Sequence, residues 1–488
     1  MSFTEAIGKQ ENRLKALLLG AAFIIAACLI GRMVPSRPFF ALLFPLYAIT
    51  LYLLFFKPAV ILMIVVLLTS TVFTLDAFPQ PITIGRAGLF LPEVLVLLLW
   101  MRTLPALLLK RDLKRLASPV TLPVLLFGIW IAFSVANAII SQKSSFIESV
   151  LIGRGYIYYF NFLLILYYLD NRHKATVFLG VMTAAAAVCS LLSFVQYILG
   201  PDVVLFPWDT WNVARVTYDE TVPTLARVMP SSIALIYILF FPALSNLISG
   251  AMKRKFLYTV FVITAFLALF LSFTRNVYYS VIVGVFILWL NYKGKVGSRS
   301  VQSFVTIVLV AGLVAYLPVY FDIVKVPNWW EQISNRQEEF FAAGAQTETF
   351  AWRTIEMMRV AQEVAKSPII GQGIGATYYH PLYGSNVAIC HNGYLTILYQ
   401  MGLIGLVLVG LIFFRFLYSS FGLYRKIKNE YSRNTIFGLA TALLALLPAI
   451  WVKPVLVEEY FWISLLGVVW ALPTVIARGC DAESEEVR

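Results

Sequence analysis

Apolar runs of roughly 17–25 residues recur from one end of this chain to the other, and no other feature restricts its fold so tightly. Away from water, every backbone N–H and C=O has to be satisfied within the protein, and runs of this length do so as membrane-spanning helices. The composition agrees. Of 488 residues, 60% are hydrophobic and only 13% charged, whereas soluble domains carry about a quarter charged residues. The expected fold class is an all-α polytopic membrane protein. Four scattered cysteines (Cys28, Cys189, Cys390, Cys480) show no metal-site or disulfide spacing and read as packing residues.

Spans are expected near 16–31, 38–56, 59–75, 91–109, 119–140, 155–169, 175–198, 225–248, 256–274, 277–291, 301–320, 393–416, 434–452 and 461–477. About fourteen spans put both termini on one side. The first run follows Lys9, Arg13 and Lys15 but has no small-x-small cleavage pattern, so it reads as a retained span. Alternate loops carry "KRDLKR", "NRHK", "MKRK", "NYKGKVGSR" and "YRKIKNEYSR", and the positive-inside rule assigns them, with both termini, to the cytoplasm. The net charge of +13 then divides into roughly +15 inside and −2 outside. Basicity here reports topology, not nucleic-acid binding.

Two outer loops stand out. Gly200–Pro223 is moderately long, and Phe321–Asn392 is about seventy residues, too long for a plain connection. The chain thus divides into residues 1–320, holding eleven of the expected spans, the long outer loop 321–392, and residues 393–488, holding three spans and a cytoplasmic tail. Within the loop, Trp352, Ile355, Met358, Ala361 and Val364 recur at three-residue spacing, which predicts a helix with one apolar face. Thr349 is its candidate N-cap, and Lys366-Ser367-Pro368 ends it. Arg353 falls in its first turn, electrostatically misplaced against the helix dipole. It either pairs with Glu356 or Glu348 or leans out to meet an anion. "GQGIG" (Gly371, Gly373, Gly375) puts Ala376 at the sixth position of a GxGxxG phosphate loop and follows no strand, and reads as a flexible turn.

"CHNG" then opens the twelfth expected span. Asn392 is a good N-cap for a helix starting at Gly393. His391, one of three histidines, sits just before that cap, where the helix dipole disfavours a cation and favours a neutral imidazole. A neutral imidazole with a free ring nitrogen can act as a general base. The alternative is an interfacial histidine satisfied by a backbone carbonyl. Arg275 lies in "SFTRN" between two apolar runs with almost no loop between them. An arginine near membrane depth usually faces the protein interior or a water-filled cavity, although a snorkelling turn residue would fit too. Arg227 and Arg215 are weaker cases of the same kind. Arginine's planar fork suits phosphate oxygens. No carboxylate cluster for a divalent metal and no nucleophile elbow accompanies these groups in the sequence. One base with cationic anchors fits transfer from a lipid diphosphate, the arginines stabilising the leaving group and the histidine deprotonating a hydroxyl.

"SFTRN", "WRTIEMMRVAQEVAKSPIIGQGIG" and "HNGYLTILYQMGLIGLVLVG" together resemble the O-antigen ligase/polymerase superfamily of bacterial envelope glycosyltransferases, over about 271–410. The resemblance implies the fold of a C-type glycosyltransferase with a large helical periplasmic loop, in the bacterial inner membrane. It implies a glycan donor on undecaprenyl diphosphate, a sugar hydroxyl acceptor, and inverting transfer at a periplasmic site without metal or cofactor. His391 matches the proposed base, and Arg275 and Arg353 match the diphosphate-holding arginines. Arg215, Arg227 and Asn392 are further candidate substrate-binding residues. Gln400 stands where an acidic residue is common, which puts that acid's role in doubt. The ligases of the superfamily are expected to have fewer spans than counted here, which favours a surface-polysaccharide polymerase over a ligase acting on lipid A-core. Expected partners are the lipid-linked donor, a glycan or lipid-core acceptor, the bilayer and polysaccharide-assembly proteins. A flippase for lipid-linked sugar is the rival of a different class, but it would require neither a base nor so long an outer loop.

Overall fold

The computed structural model describes residues 43–71, 82–84, 87–110, 112–141, 144–199, 203, 205, 213–215, 226–252, 255–272, 274–292, 348–380, 384–457 and 460–486. The described chain is mostly helical. Its α-helices are α1 (Leu43–Phe56), α2 (Pro58–Ser70), α3 (Leu91–Lys110), α4 (Thr121–Ser141), α5 (Phe146–Gly153), α6 (Asn161–Tyr168), α7 (Arg172–Leu199), α8 (Ile233–Ser249), α9 (Lys255–Leu271), α10 (Arg275–Tyr292), α11 (Glu348–Lys366), α12 (Gly393–Lys426), α13 (Glu430–Ile450) and α14 (Tyr460–Glu486). Three antiparallel two-stranded hairpins interrupt them: β1 (Ile82–Ile84) with β2 (Ala87–Leu89), β3 (Val213–Arg215) with β4 (Ala226–Val228), and β5 (Tyr378–His380) with β6 (Ser385–Val387).

Among the described residues, seven helical stretches are long and apolar enough to cross a bilayer, counting α5 and α6 with the 3-10 segment between them as one. The helices α8, α9 and α10 are apolar but shorter. The pair α1 and α2, expected as two spans, is bent by 119° at its junction, so it is one broken span or a re-entrant hairpin. Pro58 is the cause, since it cannot continue the hydrogen-bonding of α1. The expected spans at 16–31 and 301–320 lie outside the described residues.

Two helices form the centre. The spanning window of α14 is 83% buried and that of α13 78%, against 28% for α4, the least covered of these windows by the described residues. Trp470 of α14 stacks on Tyr159 at 5.2 Å and is edge-on to Phe413 of α12. Polar side chains fasten the apolar helices, as expected where no hydrophobic force drives helix association. Asn246 of α8 donates to Thr435 of α13 at 2.9 Å, and the Tyr292 hydroxyl of α10 donates to Asn434 of α13 at 3.0 Å.

The helix α12 positions the site. Its 34 residues contain one break, at Gly402, where φ is 65° and ψ −169°. The segment after α11 wedges into that break. Leu403 N donates to the Pro368 carbonyl at 2.9 Å and Ile404 N to the Ile369 carbonyl at 3.3 Å, while Gln372 N and Gly373 N donate to the Tyr399 and Gln400 carbonyls at 2.7 and 3.0 Å. On its other side the wedge meets α4, through Ile374 N to the Ser134 carbonyl at 3.0 Å and the Asn137 amide to the Gly371 carbonyl at 3.2 Å. Non-helical backbone inside a membrane bundle survives only when its polar groups are satisfied by protein, and here two broken segments satisfy each other. "GQGIG" is therefore a packed wedge, and the expectation of a flexible turn is corrected. At Gly373, with φ of 100°, an added Cβ would lie 2.6 Å from the Ala138 Cα.

Candidate active site

The loop helix forms where expected, over Glu348–Lys366, so Thr349 falls within it. Its buried face differs from the expected apolar stripe. Ile355 and Met358 are 40% and 56% exposed, whereas Val360 and the carboxylate of Glu356, one turn apart, are buried. The face was set by what covers it. Val360 packs with Ala376, Tyr378, Cys390 and Tyr399, from the wedge, the β5–β6 hairpin and the start of α12.

Those elements converge on Glu356. The His391 ring sets Nδ1 2.9 Å from Glu356 Oε2, and the His391 backbone N–H donates to the same oxygen at 3.2 Å. The Tyr378 hydroxyl donates to Glu356 Oε1 at 3.1 Å and also approaches the Ile389 carbonyl at 3.3 Å. His380 Nε2 lies 3.3 Å from Oε1. Glu356's side chain is 2% exposed and His391's 44%, so a buried carboxylate grips one edge of a ring whose other edge is open. Burial alone would raise the Glu356 pKa. The hydrogen bond and charge of His391, with its backbone N–H and the Tyr378 hydroxyl, outweigh that and hold the carboxyl below its ordinary 4.5. Burial, and then the charge of Glu356, push the Tyr378 phenol up.

Asn392 caps α12 as expected, its side chain accepting from Leu395 N at 3.0 Å. It is itself buried, with its amide toward the Met357 sulfur. Burial pushes the neighbouring Cys390 thiol up to about 11, which makes it inert as a nucleophile. Gln400 is buried two turns further on, accepting from the Tyr156 hydroxyl at 2.9 Å and donating to the Ala388 carbonyl at 3.1 Å. The second bond requires a donor, so an ionised acid could not replace this amide without facing a carbonyl.

Arg353 sits one turn before Glu356 on α11, half-buried and already engaged with another group. Arg275 is the first residue of α10. Beside it Thr274 and Asn276 line a small cleft that also holds Lys453, from the segment after α13. A Cβ on Gly393 would lie 3.1 Å from the Lys453 carbonyl, so the starts of α10 and α12 face the same end of the bundle. Arg215 and Arg227 fall on β3 and β4, opposite Ala226 and Ala214 respectively. Among the described residues, no group of three His, Cys, Asp or Glu side chains is arranged to hold a metal ion. The sequence reading missed Glu356 as His391's partner, and missed Tyr378, His380 and Lys453 altogether. A glutamate on the loop helix one turn after Arg353 was visible, but nothing in the sequence told which side chain it would meet.

A family model described as O-Antigen ligase matches residues 260–410. That stretch is similar to an O-antigen ligase domain. The resemblance read from about 271–410 is thereby supported, and the domain holds Arg275, Arg353, Glu356 and His391. The match supports a glycosyltransferase of the O-antigen ligase/polymerase type and a multi-pass membrane protein. No curated protein matches the chain. Among solved structures, a chain described under "Structural coordination of polymerization and crosslinking by a peptidoglycan synthase complex" is 14% identical, covering 74% of this chain and 97% of that one at a TM-score of 0.38. At that score the likeness supports no inference.

Proposed function

We propose that this protein transfers a glycan from undecaprenyl diphosphate to a sugar hydroxyl at the periplasmic membrane face, and so polymerises a surface polysaccharide. The reading takes the chain with about fourteen spans, both termini cytoplasmic and the loop 321–392 periplasmic. The observation that carries it is the half-exposed His391 ring, with Nδ1 turned to a buried carboxylate, which leaves Nε2 as the ring nitrogen available to an acceptor among the described residues. In that orientation Nε2 takes the proton of the acceptor hydroxyl as its oxygen attacks the anomeric carbon. The bond from that carbon to the diphosphate oxygen breaks on the opposite face, which inverts the configuration. The departing diphosphate keeps the electron pair, and Arg275 and Arg353 neutralise it. Such charge stabilisation is worth about 10²–10³ in rate per donor.

Purified protein incubated with a lipid-linked glycan tests the proposal. Growth of the lipid-linked chain supports the polymerase. Transfer to lipid A-core and not to another glycan would make the protein a ligase, the activity named by the family description. Movement of the intact donor across vesicles without any transfer would refute the enzyme and favour a flippase.

A further inference from the structure

We propose that Glu356 is the positioning residue of His391, fixing which ring nitrogen carries the proton and holding the charge that the ring acquires during transfer. The inference rests on the proposed role of His391 and adds a residue to it. An ionised carboxylate accepts through about four lone-pair sites and donates nothing. Three donors occupy Glu356: the His391 ring and backbone nitrogens on Oε2 and the Tyr378 hydroxyl on Oε1, with the His380 ring nitrogen 3.3 Å from Oε1. A proton on either oxygen would cost one of these bonds in a nearly dry site, so the carboxylate is kept ionised. That state defines the tautomer of His391. Nδ1 must hold a hydrogen to meet Oε2, which leaves the lone pair on Nε2, at the open edge of the ring.

The carboxylate also changes the energetics. The helix start at Gly393 opposes positive charge on His391. Of the other groups around Glu356, the Tyr378 phenol and Cys390 thiol are both pushed toward their neutral forms, Tyr399 is a neutral ring against Tyr378, and His380 is buried on the far oxygen. Further along α11, Glu363 is paired with Arg359 and Lys366. Glu356 is thus the negative charge in contact with the imidazole. When the acceptor hydroxyl gives its proton to Nε2, the imidazolium keeps its Nδ1 proton and is stabilised by the carboxylate 2.9 Å away. No proton passes to Glu356, and the arrangement is a base with an orienting carboxylate.

Glu356→Gln removes the charge at nearly constant shape and tests the inference in two ways. Transfer at the pH plateau is expected to fall about 10²-fold or more, the scale of a mispositioned base, with the acid limb of the pH–rate profile displaced to lower pH. Independently of turnover, carbethoxylation of His391 by diethyl pyrocarbonate, followed by peptide mass spectrometry across pH, is expected to move the same way. Glu356→Asp keeps the charge with a shorter reach, and is expected to keep the wild-type acid limb while losing about tenfold in rate. An unchanged His391 modification profile in Glu356→Gln would overturn the proposal even where His391→Ala is inactive. If Glu356→Gln fails to accumulate, wild-type turnover in Glu356→Asp would overturn it as well. Absence of transfer in the wild type would sink the glycosyltransferase reading, while the modification profile would still decide whether Glu356 governs the imidazole.

Discussion

Gly402→Ala should damage this protein out of proportion to the single methyl group added. The backbone there has φ 65° and ψ −169°, a region that only glycine enters readily, and holding another residue in it costs about 1–3 kcal/mol. The new Cβ would collide with the Ile369 carbonyl and lie 2.5 Å from Gly371 N. Both contacts are backbone in the wedge, so no side chain can swing aside. Separating wedge and helix puts the four hydrogen bonds between them at risk, and each orphaned buried group costs about 1–3 kcal/mol. Losing two of them on top of the strain gives about 4 kcal/mol or more. On the same helix, a Cβ at Gly410 meets nothing within 4 Å, so Gly410→Ala should be neutral or stabilising by up to about 1 kcal/mol. Thermal unfolding in detergent, followed by intrinsic fluorescence on both variants, makes the comparison. Equal melting temperatures for the two would refute the wedge as a determinant of stability.

His391→Ala should still insert, because Asn392 caps the helix, at some cost in stability from the lost ring bond to Glu356, while transfer falls about 10²–10⁴-fold; near-normal turnover would remove the base. Arg275→Ala should weaken donor use, and Arg353→Lys should remain impaired because a lysine lacks the fork; wild-type rates in either would demote that arginine to structure. With Cys28 and Cys480 replaced by serine, a cysteine at exposed Ser385 should react with an impermeant thiol reagent from outside and one at exposed Lys428 should not; the opposite pattern would invert the topology. Glu356 titrates below its ordinary 4.5 in the fold, so its contribution to stability is present above that pH and is lost as pH falls through the lowered value. Acid melts of wild type and Glu356→Gln should therefore differ at neutral pH and converge toward the acid end, and parallel curves would contradict the assignment.

The helical architecture was legible because hydrophobic length is a one-dimensional property. The expected spans at 91–109, 119–140, 175–198 and 434–452 each have a matching helix within a few residues. The cap at Asn392 was equally local, since a side chain that meets a backbone three residues on needs only the sequence around it. The bend between α1 and α2 was missed because two adjoining apolar helices read alike whether straight or folded back. The stripe on α11 failed for a related reason. Its periodicity found a helix, but apolar spacing alone did not choose between the face bearing Ile355 and Met358 and the face bearing Glu356 and Val360. That choice belongs to the hairpin and wedge that cover it, and a buried glutamate becomes acceptable only once Tyr378 and His391 supply its donors.

The wedge and the dyad form one construction. The chain leaves Glu356 at the middle of α11, descends through Pro368–Gly375 to the break in α12, and returns through the hairpin to His391 at the start of that same helix. Gly402 lies eleven residues beyond His391, about 16 Å along the helix at 1.5 Å per residue. The two members of the dyad are therefore fixed to α12 at two levels, Glu356 through the wedge at the break and His391 through the capped first turn. A loop about seventy residues long would ordinarily be a poor support for a contact of 2.9 Å. Here the loop's hydrogen bonds to the interior of a membrane helix lend it the rigidity of the bundle, and loosening the wedge at Gly402 or Gly373 should reach the imidazole as well as the fold.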